Sequence, residues 1–468
     1  MSVIAEALIT GWANAFRKKS LAMKKRHIAL ATLALLGIGA GTAAYVASPT
    51  VYEGNSGEAP ELGRYGNYTV GTQELTFTLP GRLSFTKLGM ASGHVETGDR
   101  ALKVRMYYPA KSSAGAQPIE YTHVMTPPAM EAVTLAFDGR AIADAAPLTD
   151  GSFPLVIMSH GFNGWSTQFS NLAEHIASRG YVVASIDHAD PKLEGVTDFI
   201  HSFANVLASR SLDQRDVLTQ IVQHNATAKT DIFSLIDPEQ IGLIGYSMGG
   251  YGALATAGAV YDYEGNTFDT VPSDALAPLQ SGAAQAVPVD AVIAFAPWGG
   301  QPENRVWTAE SLSKIDVPVL VVAGNQDDVS QFDTGISWLF DQLTGTDRHL
   351  LVFREARHNI VGNAFDVSDN DPFSVAEFLN EPVWRQDRIN SINQHFVAAF
   401  LDLHLKGDED KRSYLDVPTV NANDSQWEVS FGDQLNGKFA GPEETQHWRG
   451  FQRRWALGLE MHRRSAGE

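Results

Sequence analysis

From Pro154 onward the chain alternates short apolar runs with stretches of helical periodicity, and this alternation restricts the fold more than any other feature. Pro154–Met158 (PLVIM), Tyr181–Ile186 (YVVASI), Ile241–Gly245 (IGLIG), Asp290–Phe295, Pro318–Val322 and Leu350–Phe353 read as strands. Between them lie helical stretches from about Gln168 to Ser178, from Ser202 to His224 and from Met248 to Ala257, with an amphipathic helix from Arg388 to Leu405. Ser166 is positioned to cap the first of these and Gly180 to close it. Apolar strands alternating with helices predict an α/β fold, a mostly parallel central sheet with helices on both faces. Residues that follow the carboxyl ends of such strands line one crevice. His160, Ser247, Trp298, Asp327 and His358 therefore share a rim. Upstream, Ala101–Tyr108 alternates as a strand stopped by Pro109, residues 111–150 read as loop-rich, and 48–98 as a linker and irregular lead-in.

The 468 residues are 44% hydrophobic and 19% charged, a globular balance with ample length for a full core. The formal charge is −19. Residues 1–47 carry six basic side chains and Glu6, or +5, so the remainder carries −19 − 5 = −24. Such a body repels nucleic acid and anionic lipid, which excludes a nucleic-acid partner. The chain has no cysteine, so disulfides, thiolate catalysis and cysteine-based metal sites are excluded.

At the amino terminus, Met23-Lys24-Lys25-Arg26-His27 precedes an uncharged run from Ile28 to Ala47. Basic residues before an apolar run orient its amino end towards the cytoplasm. The run has the length of a membrane anchor, and Thr42-Ala43-Ala44 supplies the small residues of a signal-peptidase site. Translation from Met23 would leave an ordinary signal peptide. Either reading predicts that the body of the chain lies outside the cytoplasm, exported (periplasmic or secreted) or anchored in the inner membrane, with membrane contact through this segment.

The chemistry centres on Gly245-Tyr246-Ser247-Met248-Gly249, which follows an apolar strand and opens a helix. Flanking glycines permit the sharp turn that projects a serine hydroxyl from the sheet, and the Met248 amide at the helix start faces developing negative charge. A serine nucleophile needs a base, and the base an orienting acid, in the chain order Ser, acid, His. VPVLVVAGNQDD ends a strand and supplies Asp327; Asp328 is adjacent and better suited to capping the following turn. His358, in FREARHN, follows the last strand, whereas His349 precedes that strand and points to the opposite rim. His160-Gly161-Phe162-Asn163-Gly164 follows the PLVIM strand, where the Phe162 amide complements that of Met248 in an oxyanion hole and His160 holds the loop by a hydrogen bond. Phe162, Tyr246 and Trp298 are candidate substrate-binding aromatics, with Trp165 and Trp307 nearby. Asp187-His188-Ala189-Asp190 reads as a hydrogen-bonded loop rather than a metal site.

These motifs resemble the dienelactone-hydrolase-like and platelet-activating-factor-acetylhydrolase-like branch of the α/β hydrolases. The likeness runs from about Ala101 to Lys406 and is carried by Tyr107-Tyr108-Pro109, SHGFNGWSTQFSNLAEHIASRGYVVASIDHAD, IDPEQIGLIGYSMGGYGAL, VPVLVVAGNQDD and FREARHN. It implies the α/β-hydrolase fold, cofactor-free hydrolysis of short or oxidised acyl esters or small lactones, and Ser247, Asp327 and His358 at the catalytic positions. Ala296-Pro297-Trp298 is also similar to secreted lipase-cutinase and polyester-hydrolase relatives, which keep an aromatic there beside the substrate. True dienelactone hydrolases use a cysteine, which this chain lacks.

The expectation is a serine carboxylic-ester hydrolase that forms an acyl-enzyme on short-chain, lipid-like or aromatic esters, with no cofactor and no metal. Acyl transfer or polyester and lipase-type hydrolysis on the same residues, and a non-catalytic binding protein on this scaffold, are the alternatives. The expected layout is a signal or anchor over 1–47, the lead-in over 48–98, the hydrolase domain over 99–414 and a carboxyl-terminal extension over 415–468. That extension contains a basic, aromatic run from Trp448 to Trp455, suited either to packing over the domain or to resting on a membrane. The oligomeric state is left open.

Overall fold

The computed structural model describes residues 59–468 except 85, 87–88, 90–91, 113–114, 127–130, 194–195, 284–286, 366–371, 426–446 and 453. The chain divides into two units, Met1–Tyr52 and Glu53–Glu468, and the first lies outside the described residues.

The centre of the second unit is a run of parallel strands whose residues are almost all buried on both faces. They are β5 (Phe153–Ser159), β6 (Val182–Asp187), β7 (Ile236–Tyr246), β8 (Ala291–Phe295), β9 (Val319–Gly324) and β10 (Arg348–Phe353). Continuous apolar character is what a strand needs when helices cover it above and below. Those helices include Ser170–Ser178, Val196–Asn225, Met248–Thr256 and Gln386–Lys406. Further strands, paired antiparallel except β1 with β4, widen the sheet at both ends: β1 (Thr69–Ser84), β2 (Glu96–Ala110), β3 (Pro118–Met125) and β4 (Val133–Ala143) at one, and β11 (Leu459–Arg464) at the other. The eleven strands run β11-β10-β9-β8-β7-β5-β6-β2-β1-β4-β3. This is the expected α/β-hydrolase architecture, a mostly parallel sheet with helices on both faces.

Two regions differ from the sequence reading. The segment read as an irregular lead-in contains β1, and the loop-rich stretch contains β3 and β4. These strands bury one face only, so polar residues, Gly and Thr interrupt them and no continuous apolar run marks them. The carboxyl-terminal extension supplies β11, which pairs antiparallel with β10 from Arg348↔Arg464 to Phe353↔Leu459. Its aromatic run packs on the domain: Trp448 and Phe451 are buried, with Phe451 5.0 Å from the His395 ring on helix Gln386–Lys406. Between β5 and β6, Ser166 does not cap its helix; the cap position is Phe169, without a side-chain bond.

The membrane anchoring expected from the amino terminus is corrected here. Among the described residues no helix is long and apolar enough to cross a membrane. The two longest helices carry charges throughout, including Arg210, Asp213, Arg215 and Asp216 in one and Asp387, Arg388, Asp402 and Lys406 in the other, whereas a span needs about 20 predominantly apolar residues. The run from 28 to 47 lies outside the described residues.

Strand order reverses beside β5: the chain goes from β5 to β6 on one flank and returns to β7 on the other. A crevice opens at such a reversal, at the carboxyl ends of the strands. In register there, Ser159 of β5 stands opposite Gly245 of β7, and Phe353 of β10 opposite Gly324 of β9. The loops carrying Phe162, Ser247, Asp327 and His358 all leave from this edge.

Candidate active site

Ser247 sits between β7 and the helix Met248–Thr256 with φ +52°. A serine in this region is strained by about 1–3 kcal/mol, so the surroundings must hold it there. The Ser247 amide donates to Phe295 O at 2.9 Å, and the Trp298 amide donates to Ser247 O at 3.2 Å. The turn closes only over glycine: a Cβ on Gly245 would lie 2.2 Å from Gly249 O, and one on Gly249 would lie 2.1 Å from Ser159 O.

His358 bridges the serine and the acid. Its Nε2 is 3.0 Å from Ser247 Oγ, and its Nδ1 is 2.7 Å from Asp327 Oδ2. Asp327 is fully buried at its side chain and is fixed at its second oxygen, where Oδ1 accepts the Val329 and Ser330 amides at 2.9 and 2.8 Å. Asp327 thus performs the capping expected of Asp328 as well as holding the imidazole. Asp328 is 54% exposed and pairs with Arg357, and that guanidinium holds its carboxyl below the usual range. His349, at the start of β10, lies 3.4 Å from Asp416.

The Phe162 and Met248 amides flank this crevice, and among the described residues neither donates a hydrogen bond within the protein. His160 holds its loop by side-chain bonds, with Nδ1 2.7 Å from Gly161 O and Nε2 accepting the His188 amide at 3.0 Å. Tyr246 is buried against the imidazole, ring to ring at 5.2 Å, and its hydroxyl reaches Asn359 Oδ1 at 3.2 Å. Burial, reinforced by the Asp327 charge, pushes the Tyr246 phenol well up.

A chain of strand-end loops thus meets at one point, with one hydrogen-bonded path from hydroxyl to imidazole to carboxylate and two unclaimed amides beside it. The segment 137–262, which carries both the Phe162 and the Ser247 turns, matches the PET hydrolase-like family. The chain belongs to the α/β-hydrolase superfamily. Within it, this α/β hydrolase is related to the PET-hydrolase-like and platelet-activating-factor-acetylhydrolase branches. It is 24% identical over 255 residues to a bis(hydroxyethyl) terephthalate hydrolase of Streptomyces coelicolor, covering 53% of this chain and 64% of that protein. It is 25% identical over 160 residues to the platelet-activating factor acetylhydrolase of Canis lupus familiaris, covering 31% of this chain and 32% of that one. The chain therefore spans under two thirds of the first relative's length and about a third of the second's. These likenesses support hydrolase activity in general.

The aromatics of this α/β hydrolase divide into two groups. Phe162 and Trp298 join Phe199 and Phe203 of helix Val196–Asn225: Phe203 meets Trp298 edge-on at 5.4 Å, Phe162 meets Phe199 at 5.5 Å, and Phe199 stacks on Phe203 at 5.9 Å. Phe199 is half exposed. Trp165 and Trp307 belong elsewhere, the first stacked on His123 at 3.9 Å and the second buried beside Tyr251 and Tyr261. Phe199 lies outside the helix that the sequence predicts from Ser202, and Phe203 lies inside it without being singled out as a site residue. Their spacing of four, which puts two side chains on one helix face, was the available signal.

Proposed function

We propose that this protein is a serine carboxylic-ester hydrolase that works through an acyl-enzyme. Ser247 attacks the ester carbonyl while His358 Nε2 takes its proton. Asp327 holds the imidazole in the tautomer with its proton on Nδ1 and stabilises the charged ring. The Phe162 and Met248 amides receive the oxyanion. His358 then protonates the leaving alcohol, and a water activated by the same ring releases the acid. The observation that carries this reading is the unbroken path Ser247 Oγ to His358 Nε2 at 3.0 Å and His358 Nδ1 to Asp327 Oδ2 at 2.7 Å.

The wall of Phe162, Phe199, Phe203 and Trp298 supports a small-molecule ester with an apolar or aromatic acyl part, which flat edge-to-face surfaces hold well. One relative is named a bis(hydroxyethyl) terephthalate hydrolase, which favours an aromatic acyl part, and the other a platelet-activating factor acetylhydrolase, which favours a small-molecule ester in general.

The test uses p-nitrophenyl esters of graded acyl length and bis(hydroxyethyl) terephthalate, with wild type and Ser247→Ala. Turnover by wild type, labelling with a fluorophosphonate and loss of both in Ser247→Ala are the expected results. Unchanged p-nitrophenyl acetate hydrolysis by Ser247→Ala refutes the assignment. Wild-type protein that neither turns over esters nor takes the label is a binding protein on this scaffold.

A further inference from the structure

Beneath the loop that carries Phe162 lies a buried set of charges that takes no part in the proton path. Arg210, from helix Val196–Asn225, and Asp190, from the loop after β6, pair at 2.7 Å with side-chain exposures of 0% and 2%. Taking both charges out of water is costly, and a pair so placed needs good geometry and further hydrogen bonds to hold. Those further bonds all go to one loop. Arg210 Nη2 donates to Gly161 O at 3.2 Å, and Asp190 Oδ2 accepts the Asn163 amide at 2.9 Å. The other Arg210 nitrogens, Nε and Nη1, are buried without a hydrogen-bond partner among the described residues. The guanidinium thus spends its bonds on Asp190 and Gly161 alone.

Gly161 O has a second donor. His160 Nε2 accepts the His188 amide at 3.0 Å, which leaves the ring proton on Nδ1, 2.7 Å from the same oxygen. Burial and the Arg210 charge both disfavour protonation of His160, so the ring stays in this single neutral form. His188 is held in turn: its Nε2 is 2.7 Å from Ser159 Oγ and its Nδ1 is 3.0 Å from Asp213 Oδ2. Asp213 is also paired with Arg82 and Arg100 at 3.1 and 2.9 Å. Ser159, His188 and Asp213 repeat the residue types of the reactive path, but all three are buried.

The carbonyl on which these donors converge belongs to the reactive centre. Gly161 C=O and Phe162 N–H are the two ends of one planar peptide unit. Donors on its oxygen fix the plane and polarise the amide, which strengthens its N–H as a donor. The next peptide is fixed by Asp190 through Asn163. Both peptide planes around Phe162 are therefore tied to the one ion pair. The helix that Ser247 caps is notched to admit the same side chain: a Cβ on Gly252 would lie 2.7 Å from Arg210 Cγ.

We propose that the Arg210–Asp190 ion pair, together with His160, positions and polarises the Phe162 amide so that it meets the oxyanion, an inference that rests on the role proposed for Ser247. Arg210 and Asp190 are positioning residues and touch no substrate. Their contribution is made when negative charge appears on the substrate oxygen, so it belongs to kcat and to tetrahedral adducts, not to ground-state binding.

The test compares wild type, Arg210→Met, Arg210→Lys, Asp190→Asn and Ser247→Ala as full chains on p-nitrophenyl acetate. It adds the inhibition constant of a trifluoromethyl ketone, which forms a tetrahedral adduct with the serine, and a thermal unfolding curve for each. In Arg210→Met, kcat falls about 10- to 100-fold, less than deletion of an oxyanion donor, KM stays within about twofold, and the ketone weakens by the same factor as kcat. Arg210→Lys recovers part of both. Asp190→Asn keeps an acceptor for Asn163 and is the variant to read if Arg210→Met does not fold; it shows the same parallel loss. A folded variant with wild-type kcat and ketone affinity, or one whose loss lies in KM, overturns the proposal. If Ser247→Ala is inactive while the Arg210 and Asp190 variants behave as wild type, only this inference fails. If Ser247→Ala keeps its turnover, the reading beneath it fails too.

Discussion

Replacing Asp327 with asparagine separates its two structural duties, and the geometry dictates how. The Val329 and Ser330 amides both point at Oδ1, from 2.9 and 2.8 Å, and need an acceptor there. The asparagine oxygen must take that place, which turns its NH2 towards His358 Nδ1. A ring facing a donor presents a lone pair at Nδ1 and carries its proton on Nε2, the nitrogen 3.0 Å from Ser247 Oγ. The base is then blocked although every heavy atom keeps its place. An acid-to-amide change that imposes the wrong tautomer costs about 10⁴-fold in kcat, or about 5.5 kcal/mol in barrier height. Stability changes little, because the turn keeps its cap. Asp328→Asn is the matched control. It breaks only a half-exposed, solvent-screened pair with Arg357, and leaves kcat within about twofold. Steady-state kinetics on p-nitrophenyl acetate, with urea unfolding of both variants, reads the outcome. The reasoning is refuted if Asp327→Asn keeps more than a tenth of the wild-type kcat, or if Asp328→Asn is the more damaged of the two.

Three further outcomes are expected. Burial lowers His175 and His395 to about 3, so each stays neutral in the folded protein while its unfolded counterpart takes a proton below about 6.5. Their stabilisation is full above that value and is lost as pH falls towards 3, at about 1.4 kcal/mol per pH unit for each group; His175→Gln should flatten the acid limb of a urea-stability profile by one proton, and parallel profiles would contradict this. Gly249→Ala drives a Cβ into the Ser159 and His160 carbonyl oxygens, at 2.1 and 2.8 Å, and should destabilise by about 3 kcal/mol or more because neither backbone can retreat; an alanine variant with wild-type stability and turnover would show that the turn is looser than described. Phe199→Ala and Phe203→Ala should raise KM for esters with an aromatic acyl part, such as bis(hydroxyethyl) terephthalate, about 2- to 10-fold, the worth of one or two aromatic contacts, while leaving p-nitrophenyl acetate, whose acyl part is small, unaffected, and an equal effect on both substrates counts against a wall that binds aromatic acyl groups.

Much of this arrangement was legible because it is local. A strand buried on both faces must be apolar along its whole length, so β5 to β10 announce themselves as runs such as Leu155-Val156-Ile157. The Ser247 turn needs Gly245 and Gly249 at fixed offsets, and Asp327 and His358 follow their strands within a few residues. Strands β1, β3 and β4 were hidden because half of each faces solvent and their pairing partners are distant. Arg210 and Asp190 were illegible for a different reason. A charged residue inside a helix and another in a loop have no pattern that says they will meet, and only the packing of helix Val196–Asn225 against the nucleophile turn brings them together. Phe199 was lost to a helix start read six residues late, at Ser202 instead of Val196.

The pairing of β11 with β10 also bears on how the protein is made. Leu459 follows Phe353 by 106 positions (459 − 353) along the chain, which a ribosome adding 5–20 residues per second crosses in about 5–20 s. Throughout that interval β10 can already have docked on β9, yet its outer row of amides and carbonyls has no mate and invites another polypeptide. Nascent chains are therefore most at risk of sticking to one another during this delay, and a synonymous change that slows translation between these positions should lower soluble yield without altering a single amino acid.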